Sequence, residues 1–175
     1  ALNLPKGSKV IVCAAGFPAT VAPIIHAGLT PVFVDAELTS YSIDPISIES
    51  ALIKQSDIKA LVFAHTVGNV ANMTKIMKLA REYNLKVIED CCDCLGSKWK
   101  GNMTGSFGDI SCFSFYRSHH ITAGGLGGMC LTSNTQYAQD MISLRDWGKM
   151  HETPEYYNAY SVESKYFIKV DGIDY

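Results

Sequence analysis

The sequence predicts an α/β fold, in which a mostly parallel but mixed sheet is flanked by helices. Short β-branched runs alternate with amphipathic stretches about every 25 to 30 residues, which is the spacing of βαβ units on a parallel sheet. Runs such as Leu61–Ala64 are apolar throughout, as expected of strands buried on both faces. With 175 residues, 47% of them hydrophobic, the chain is long enough to bury one substantial core.

Strands alternate with helices through the first half of the chain. Strands are predicted at residues 10–13, 31–34, 60–64 and 85–88, and helices between them at 19–27, 45–54 and 73–83. Gly28 and Asn84 stand just beyond two of these helices, where residues that tolerate a left-handed backbone commonly end a helix. This half therefore reads as consecutive βαβ units.

The alternation stops after Asp90. Residues 110–115 and 128–131 are predicted strands with no helix between them, and a helix is predicted at 135–147. A connection without a helix can reverse a strand, which is why we expect a mixed sheet. Residues 150–175 are aromatic and polar without a clear period, so an irregular excursion is predicted there.

Composition and charge exclude several classes of partner. The formal net charge of -2 arises from interleaved signs, so neither nucleic acid nor an anionic membrane surface is predicted as a partner. No apolar run approaches the roughly 20 residues that span a bilayer, and residues 1–9 lack the apolar core of a signal peptide. A cytoplasmic location is expected.

The six cysteines are interpreted as buried, reduced thiols, because several lie inside apolar strand-like runs. The segment 91–94 contains Cys91, Cys92 and Cys94. No second Cys/His pair at zinc-finger spacing accompanies it. No metal site is therefore predicted.

Asp90 is the first candidate for a functional site. It stands at the carboxyl end of a predicted buried parallel strand, the edge of an open α/β sheet where ligands bind. The alternative is that Asp90 only caps the turn after that strand. Side-chain alternation turns Glu89 to the other face of the sheet, which makes it a weaker candidate.

His119 and Ser114 are the next candidates. His119 follows Asp90 by 29 positions, and an imidazole can act as a general base near neutral pH. The alternative is that His119 and His120 are simply polar residues of a loop. Ser114 stands at the end of a predicted strand, where a hydroxyl suits a phosphate oxygen.

The segment 114–122, between the strand that ends at Asp90 and the glycine run 124–128, resembles the cofactor site of DegT-type sugar aminotransferases. These are fold-type-I enzymes that use pyridoxal phosphate (PLP). The similarity covers nearly the whole chain, including segments 7–11, 33–35, 65–69 and 145–148. The nearest match is the CDP-4-keto-6-deoxyglucose 3-dehydrase group, whose members have a histidine in place of the Schiff-base lysine and hold pyridoxamine phosphate (PMP) non-covalently.

The resemblance implies a role for each candidate residue. His119 takes the place of the lysine and is the expected base, while Asp90 is the expected partner of the pyridine nitrogen. Ser114 is implied as a phosphate ligand and Phe17 as the aromatic ring stacked on the cofactor. By the same resemblance, Asp93 takes the position at which aminotransferase relatives usually have a histidine or glutamine beside the cofactor ring.

The same resemblance implies an activity and partners. The expected reaction is removal of the C3 hydroxyl from a nucleotide-linked 4-keto-6-deoxy sugar, in deoxysugar and lipopolysaccharide biosynthesis, with PLP or PMP as cofactor. A homodimer is implied. Typical members of the group bind a [2Fe-2S] cluster, and Cys92 matches one ligand position, but no cysteine follows Cys130. Neither this cluster nor a partner reductase is therefore expected.

The resemblance also leads us to expect a fragment of a longer enzyme. Residues 1–149 correspond to part of a PLP-binding large domain, and residues 150–175 to an excursion cut off before the carboxyl-terminal small domain. Two alternatives stay open. One is a sugar aminotransferase that uses another lysine, with Lys98 and Lys100 nearest in sequence. The other is a non-catalytic remnant, and the fragment alone is expected to be inactive.

Overall fold

The computed structural model describes residues 1–148 and two short strands, at 169–170 and 173–174. The chain forms two compact units: Asn3–Thr132 is one, and Ala1–Leu2 with Ser133–Tyr175 is the other. All predicted site residues belong to the first unit. Of the predicted excursion, only the two short strands β9 (Lys169–Val170) and β10 (Ile173–Asp174), an antiparallel pair, are described.

A six-stranded sheet organises the first unit, in the order β2-β1-β3-β4-β7-β8. Every neighbouring pair is parallel except β7 and β8, which are antiparallel. The prediction of a mostly parallel, mixed sheet is confirmed. Its strands are β1 (Lys9–Cys13), β2 (Thr30–Val34), β3 (Ile58–Ala64), β4 (Lys86–Asp90), β7 (Ile110–Ser114) and β8 (Gly128–Leu131).

Helices join β1 to β2, β2 to β3 and β3 to β4 as the sequence predicts, with ends that lie within two residues of the predicted ones. They are α1 (Pro18–His26), α2 (Pro45–Lys54) and α3 (Met73–Glu82), while α4 (Thr135–Arg145) lies in the second unit. Asp44 caps α2 by accepting hydrogen bonds from two backbone amides, and Asn72 caps α3. No side chain caps α1, which begins at Pro18, a residue without an amide to be capped.

The core lies on both faces of the sheet. The larger cluster includes Ile11, Leu61 and Phe63 together with apolar residues of α2 and α3, and the smaller one packs Val10 and Val12 against residues of α1. Successive residues of β1 thus point into different clusters, as strand geometry requires. This confirms that the central strands are covered on both sides.

A short hairpin between β4 and β7 was not predicted. It consists of β5 (Lys98–Trp99) and β6 (Asn102–Met103). Lys100 and Gly101 both have positive φ angles, of 49° and 86°, as in the tight turns that suit hairpins. The Trp99 indole N–H donates to Thr74 Oγ1 at 2.9 Å. Two-residue strands carry no readable period, which is why the sequence did not indicate them.

The cysteines are less uniformly buried than the sequence led us to expect. Cys13, Cys91 and Cys94 are buried, but Cys92 and Cys112 are half-buried and Cys130 is exposed. The prediction is wrong for Cys130 because β8 is an edge strand whose residues are all exposed. Among the described helices, none combines the length and apolar character needed to cross a membrane.

Candidate active site

Asp90 ends β4 and is held by two neighbours. Its Oδ2 accepts a hydrogen bond from Thr20 Oγ1 at 2.8 Å, and its Oδ1 accepts one from the backbone amide of Cys92 at 3.2 Å. Thr20 belongs to the first turn of α1. Asp90 therefore caps the turn that follows its strand, which is the structural role considered above as the alternative to ligand binding. The same carboxylate is also oriented at the carboxyl edge of the sheet, as expected of a ligand-binding group.

The thiol of Cys92 also faces Asp90. Burial raises the pKa of this thiol to about 12, and its hydrogen bond to the Asp90 carboxylate acts in the same direction. The thiol is therefore protonated at neutral pH and acts as a donor. Because a carboxylate has about four acceptor positions, Asp90 keeps room for one further donor.

A cavity of about 480 Å³ opens beside the turn that follows this strand, and Asp90 itself is not among the described residues that line it. Its volume lies within the range of small-molecule sites. Four residues singled out from the sequence line it, namely Cys92, Asp93, Ser114 and His119. The structure thus brings together residues from the turn after β4 and from the segment after β7.

His119 is presented to the cavity by a turn after β7. Its backbone amide donates to the carbonyl of Tyr116 at 2.9 Å, and its side chain is about one quarter exposed. Nδ1 lies 4.0 Å from Asp93 Oδ1, which is too long for a hydrogen bond and becomes an ion pair only when the imidazole is protonated. Nε2 has no hydrogen-bond partner among the described residues, so this nitrogen is available to a ligand.

Ser114 ends β7, and its hydroxyl is only partly used. Its Oγ accepts a hydrogen bond from the Tyr116 amide at 3.3 Å. Among the described residues no acceptor takes the hydroxyl proton. Ser114 can therefore donate to an anionic oxygen in the cavity.

Phe17 does not line this cavity. It precedes α1, its side chain is 75% exposed, and its carbonyl accepts a hydrogen bond from the Thr20 amide at 3.0 Å. Thr20 therefore links the two residues, because its amide donates to Phe17 and its hydroxyl donates to the Asp90 carboxylate. Its ring is uncovered by the described residues.

Comparison with known proteins assigns the family. Residues 1–168 match the DegT/DnrJ/EryC1/StrS aminotransferase family. The chain belongs to this family. Its relatives include the lipopolysaccharide biosynthesis protein RfbH of Salmonella typhimurium, which is 48% identical over 146 residues. The match covers 83% of this chain and 33% of that relative.

Two further relatives carry the names of specific reactions. The dTDP-4-dehydro-2,6-dideoxy-D-glucose 3-dehydratase of Saccharopolyspora spinosa is 44% identical over 84% of this chain and 31% of its own length. The solved structure of E. coli GDP-4-keto-6-deoxy-D-mannose-3-dehydratase with bound hydrated PLP has a TM-score of 0.78 and 29% identity, over 83% of this chain and 36% of that one. The chain spans about a third of the length of these relatives.

A buried network surrounds Glu89, whose side chain faces the side of the sheet opposite to Asp90, and sequence analysis missed it. Glu89 is fully buried and accepts hydrogen bonds from the amides of Gly105, Phe107 and Gly108 at 2.7 to 3.0 Å. Its Oε2 also lies 3.2 Å from His65 Nε2. The sequence feature that could have indicated this network is a carboxylate inside a predicted buried strand. Side-chain alternation indicates only that Glu89 faces away from Asp90.

The hydrogen bonds of this network determine its protonation. His65 Nδ1 accepts from the Ala71 amide at 3.1 Å, so the ring proton must be on Nε2 and point at Glu89. Burial acts to raise the pKa of Glu89, but the hydrogen bonds from His65 and the three amides outweigh it, and the pKa lies below its ordinary value. Glu89 is therefore an anion that ties residues 105–108 to β4, one position before Asp90.

His65, Cys91 and Cys94 place one possible ligand atom each within 4.8 Å of one another, all of them buried. Both ring nitrogens of His65 already have partners. A metal ion there would have to displace either the Ala71 amide or Glu89. We therefore interpret the three residues as part of the buried network.

Proposed function

We propose that the protein is a nucleotide-sugar 3-dehydrase that works with PMP or PLP and uses His119 in place of a Schiff-base lysine. One observation carries this proposal. His119 lines the 480 Å³ cavity together with Ser114 and Asp93, and none of the described residues that line the cavity is a lysine. An imidazole cannot form a stable imine with the cofactor, but it can accept and return a proton.

The residues present fit a pyridoxal-type cofactor. Asp90 has acceptor capacity left for a pyridinium N–H, and Ser114 has a hydroxyl proton left for a phosphate oxygen. The exposed Phe17 ring and Asp93 supply the flanking groups that the family resemblance implies. When bound, such a cofactor supplies an electron sink that stabilises negative charge on the neighbouring carbon.

His119 is the proton carrier in this proposal. Its Nε2, which has no hydrogen-bond partner among the described residues, would accept the proton released next to the amine nitrogen of a bound cofactor. Asp93 Oδ1, 4.0 Å from Nδ1, would stabilise the resulting imidazolium. The imidazolium would then donate this proton to the C3 hydroxyl, which would leave as water.

The relatives support the substrate class, while their named reactions include both dehydration and amino-group transfer. Two of them are named as 3-dehydratases of nucleotide-linked keto sugars, and we propose a nucleotide-linked 4-keto-6-deoxy sugar as the substrate. We propose a homodimer as the assembly. A [2Fe-2S] cluster and a partner reductase are not part of the proposal, because Cys92 has no matching cysteines after Cys130.

A sugar aminotransferase is the second candidate, since the family as a whole is described as aminotransferases. It requires a lysine in reach of the cofactor. Lys98 and Lys100, the nearest lysines in sequence to His119, belong to the hairpin β5–β6, where both are exposed, and do not line the cavity. The aminotransferase therefore fits the described residues less well. The third alternative, a non-catalytic remnant, would be supported only if the protein binds no cofactor.

The test compares two adjacent histidines that both line the cavity. Because this chain alone is expected to be inactive, the variants are made in the longest natural reading frame that contains it. That protein is loaded with PMP and given CDP-4-keto-6-deoxyglucose, and loss of water from the sugar is followed by mass spectrometry. We expect His119→Asn to slow the reaction by about 10²-fold or more and His120→Asn to leave it within about threefold. Unchanged turnover in His119→Asn would contradict the proposal. Transfer of an amino group from glutamate to the sugar would instead favour the aminotransferase.

A further inference from the structure

Cys112 and Cys130 face each other across the antiparallel strands β7 and β8. They are direct partners in the strand register, and their Sγ atoms lie 3.7 Å apart. Cys112 is half-buried and Cys130 is exposed on the edge strand. Neither thiol has a role in the function proposed above.

We propose that Cys112 and Cys130 are a reversible redox pair, which a low-molecular-weight disulfide such as oxidised glutathione converts to a cross-strand disulfide. The proposal concerns the two thiols alone, and it stands whether or not the neighbouring cavity binds a pyridoxal cofactor.

The backbone geometry permits this bond. Directly opposite residues of antiparallel strands have Cα atoms about 4.5 to 5.5 Å apart, which lies within the range of about 4.4 to 6.8 Å found for disulfides. The two Sγ atoms need only close from 3.7 Å to a bond of about 2.05 Å. Side-chain rotation within the existing strand pair can supply that movement.

The two thiols differ in a way that assigns the first step. The hydrogen bond from Cys112 lowers the pKa of Cys130 to about 6, while the same interaction and burial raise the pKa of Cys112. Cys130 is the thiol that solvent reaches, and the lowered pKa favours the thiolate form at this same residue. Thiolates, not thiols, attack disulfides.

The reaction proceeds in two exchanges. The Cys130 thiolate attacks one sulfur of oxidised glutathione, which breaks the glutathione S–S bond, forms a mixed disulfide on Cys130 and releases one glutathione thiolate. Cys112 then loses its proton and attacks the Cys130 sulfur, which releases the second glutathione. Two electrons pass from the cysteine pair to the reagent, and the products are one protein disulfide and two glutathione molecules.

The position of the pair connects it to the candidate site. Cys112 is in register with Asp90, and its carbonyl accepts a hydrogen bond from the Cys91 amide at 2.8 Å. Side chains of residues in register on adjacent strands point to the same face of the sheet. A disulfide would therefore tie the edge strand β8 to β7 on the face that carries Asp90 and Ser114.

The second close pair of cysteines offers an internal comparison. Cys91 and Cys94 also have neighbouring sulfur atoms, but both side chains are buried, with 0% and 2% exposure. A reagent as large as glutathione cannot reach them in the folded protein. Exposure and proximity together thus select Cys112 and Cys130.

The experiment maps disulfides in the folded chain. The protein is incubated with oxidised glutathione, quenched in acid, alkylated with N-ethylmaleimide in denaturant and digested for mass spectrometry. We expect a peptide pair that links Cys112 to Cys130, with the loss of two alkylated thiols, and full recovery of both thiols after dithiothreitol. Alkylation of both cysteines after oxidation, or a link between Cys91 and Cys94 instead, would overturn the proposal.

Single variants test the order of the two steps. Cys112→Ser should accumulate glutathione on Cys130, because no second thiol resolves the mixed disulfide, and Cys130→Ser should show neither the link nor an adduct on Cys112. Cys13→Ala, at a buried cysteine of β1, is the matched control and should form the link as the unaltered chain does. Equal glutathione adducts on Cys112 and Cys130 in the two serine variants would overturn the assigned order.

Discussion

At the scale of single residues, Asp90 is the point where three parts of the chain meet. Its carboxylate is held by Thr20 from α1 and by the amide of Cys92 from the following turn. Both contacts orient the carboxylate without neutralising it. A side chain oriented in this way loses little freedom when a cationic ring nitrogen binds.

Thr20→Val tests the importance of that orientation. The change keeps the shape of the side chain but removes the hydroxyl that donates to Asp90 Oδ2. We expect PMP to bind about tenfold more weakly, since a hydrogen bond to a charged group contributes about 1.5 kcal/mol or more. Titration of PMP by absorbance measures the affinity. Thr30→Val, at an exposed residue of β2, is the control, and an equal loss in both variants would contradict a specific role for Thr20.

Glu89 supports the same strand end through charge. Glu89→Gln would turn an amide NH₂ group toward donors, namely the Gly105 amide and the His65 Nε2–H. We expect this buried mismatch to lower the free energy of unfolding at pH 7 by about 3 kcal/mol. Urea unfolding measures the loss. Glu49→Gln, at an exposed position of α2, should change stability by less than about 0.5 kcal/mol.

The pH dependence of stability gives a second readout on Glu89. Its pKa is lower in the folded protein than its ordinary value, so its contribution to stability is complete above the unfolded pKa of about 4.3. That contribution is lost as the pH falls through the folded pKa. The unaltered chain should therefore lose more stability between pH 6 and acid than Glu89→Gln does. An equal loss in the free energy of unfolding for both proteins as the pH falls would contradict an anionic Glu89.

At the scale of elements, the loop 105–108 is fitted closely against β4. A Cβ at Gly108 would lie 2.7 Å from the carbonyl oxygen of Val87, which is closer than non-bonded atoms approach. Its amide also donates to Glu89. The loop 105–108 is therefore fixed against β4, the strand that ends at Asp90.

Gly108→Ala tests that close fit. We expect a loss of about 1 to 3 kcal/mol in the free energy of unfolding, because backbone must move to admit the methyl group. Gly16→Ala is the matched control, since a Cβ at Gly16 has nothing within 4 Å, and it should be close to neutral. Chemical denaturation of both variants measures the difference. Equal stabilities would show that the loop moves away without cost.

The sequence predicted these elements unequally, for physical reasons. Burial and capping leave patterns within a few consecutive residues, namely apolar runs and helix-cap residues. For this reason β1 to β4, β7, β8 and the helices were predictable. The contact between Thr20 and Asp90 joins residues 70 positions apart, and no local pattern indicates it. The network around Glu89 was missed for the same reason, since its partners lie up to 24 positions away.

The candidate residues were predictable to a different extent. Position at a strand end selected Asp90 and Ser114 directly, while His119, Phe17 and Asp93 gained their implied roles from the family resemblance. The structure brings His119, Ser114 and Asp93 to one cavity. Phe17, the residue before α1, is not among the described residues that line the cavity.

At the scale of the whole molecule, the described chain is one part of a DegT-family architecture. Its matches cover about a third of the relatives' lengths. The cavity, Asp90 and the buried Glu89 network nevertheless all lie within the single unit Asn3–Thr132. We therefore expect cofactor attachment to be decided by residues already described here.

The most direct measurement asks whether the cofactor is attached covalently. The unaltered chain and His119→Lys are each incubated with PLP, reduced with borohydride and analysed by intact mass and peptide mapping. We predict that the unaltered chain binds PLP without an adduct, whereas His119→Lys gains one reduced PLP on the introduced side chain. A reduced adduct on a lysine of the unaltered chain, or no PLP binding by either protein, would show that His119 does not replace a Schiff-base lysine in a cofactor site.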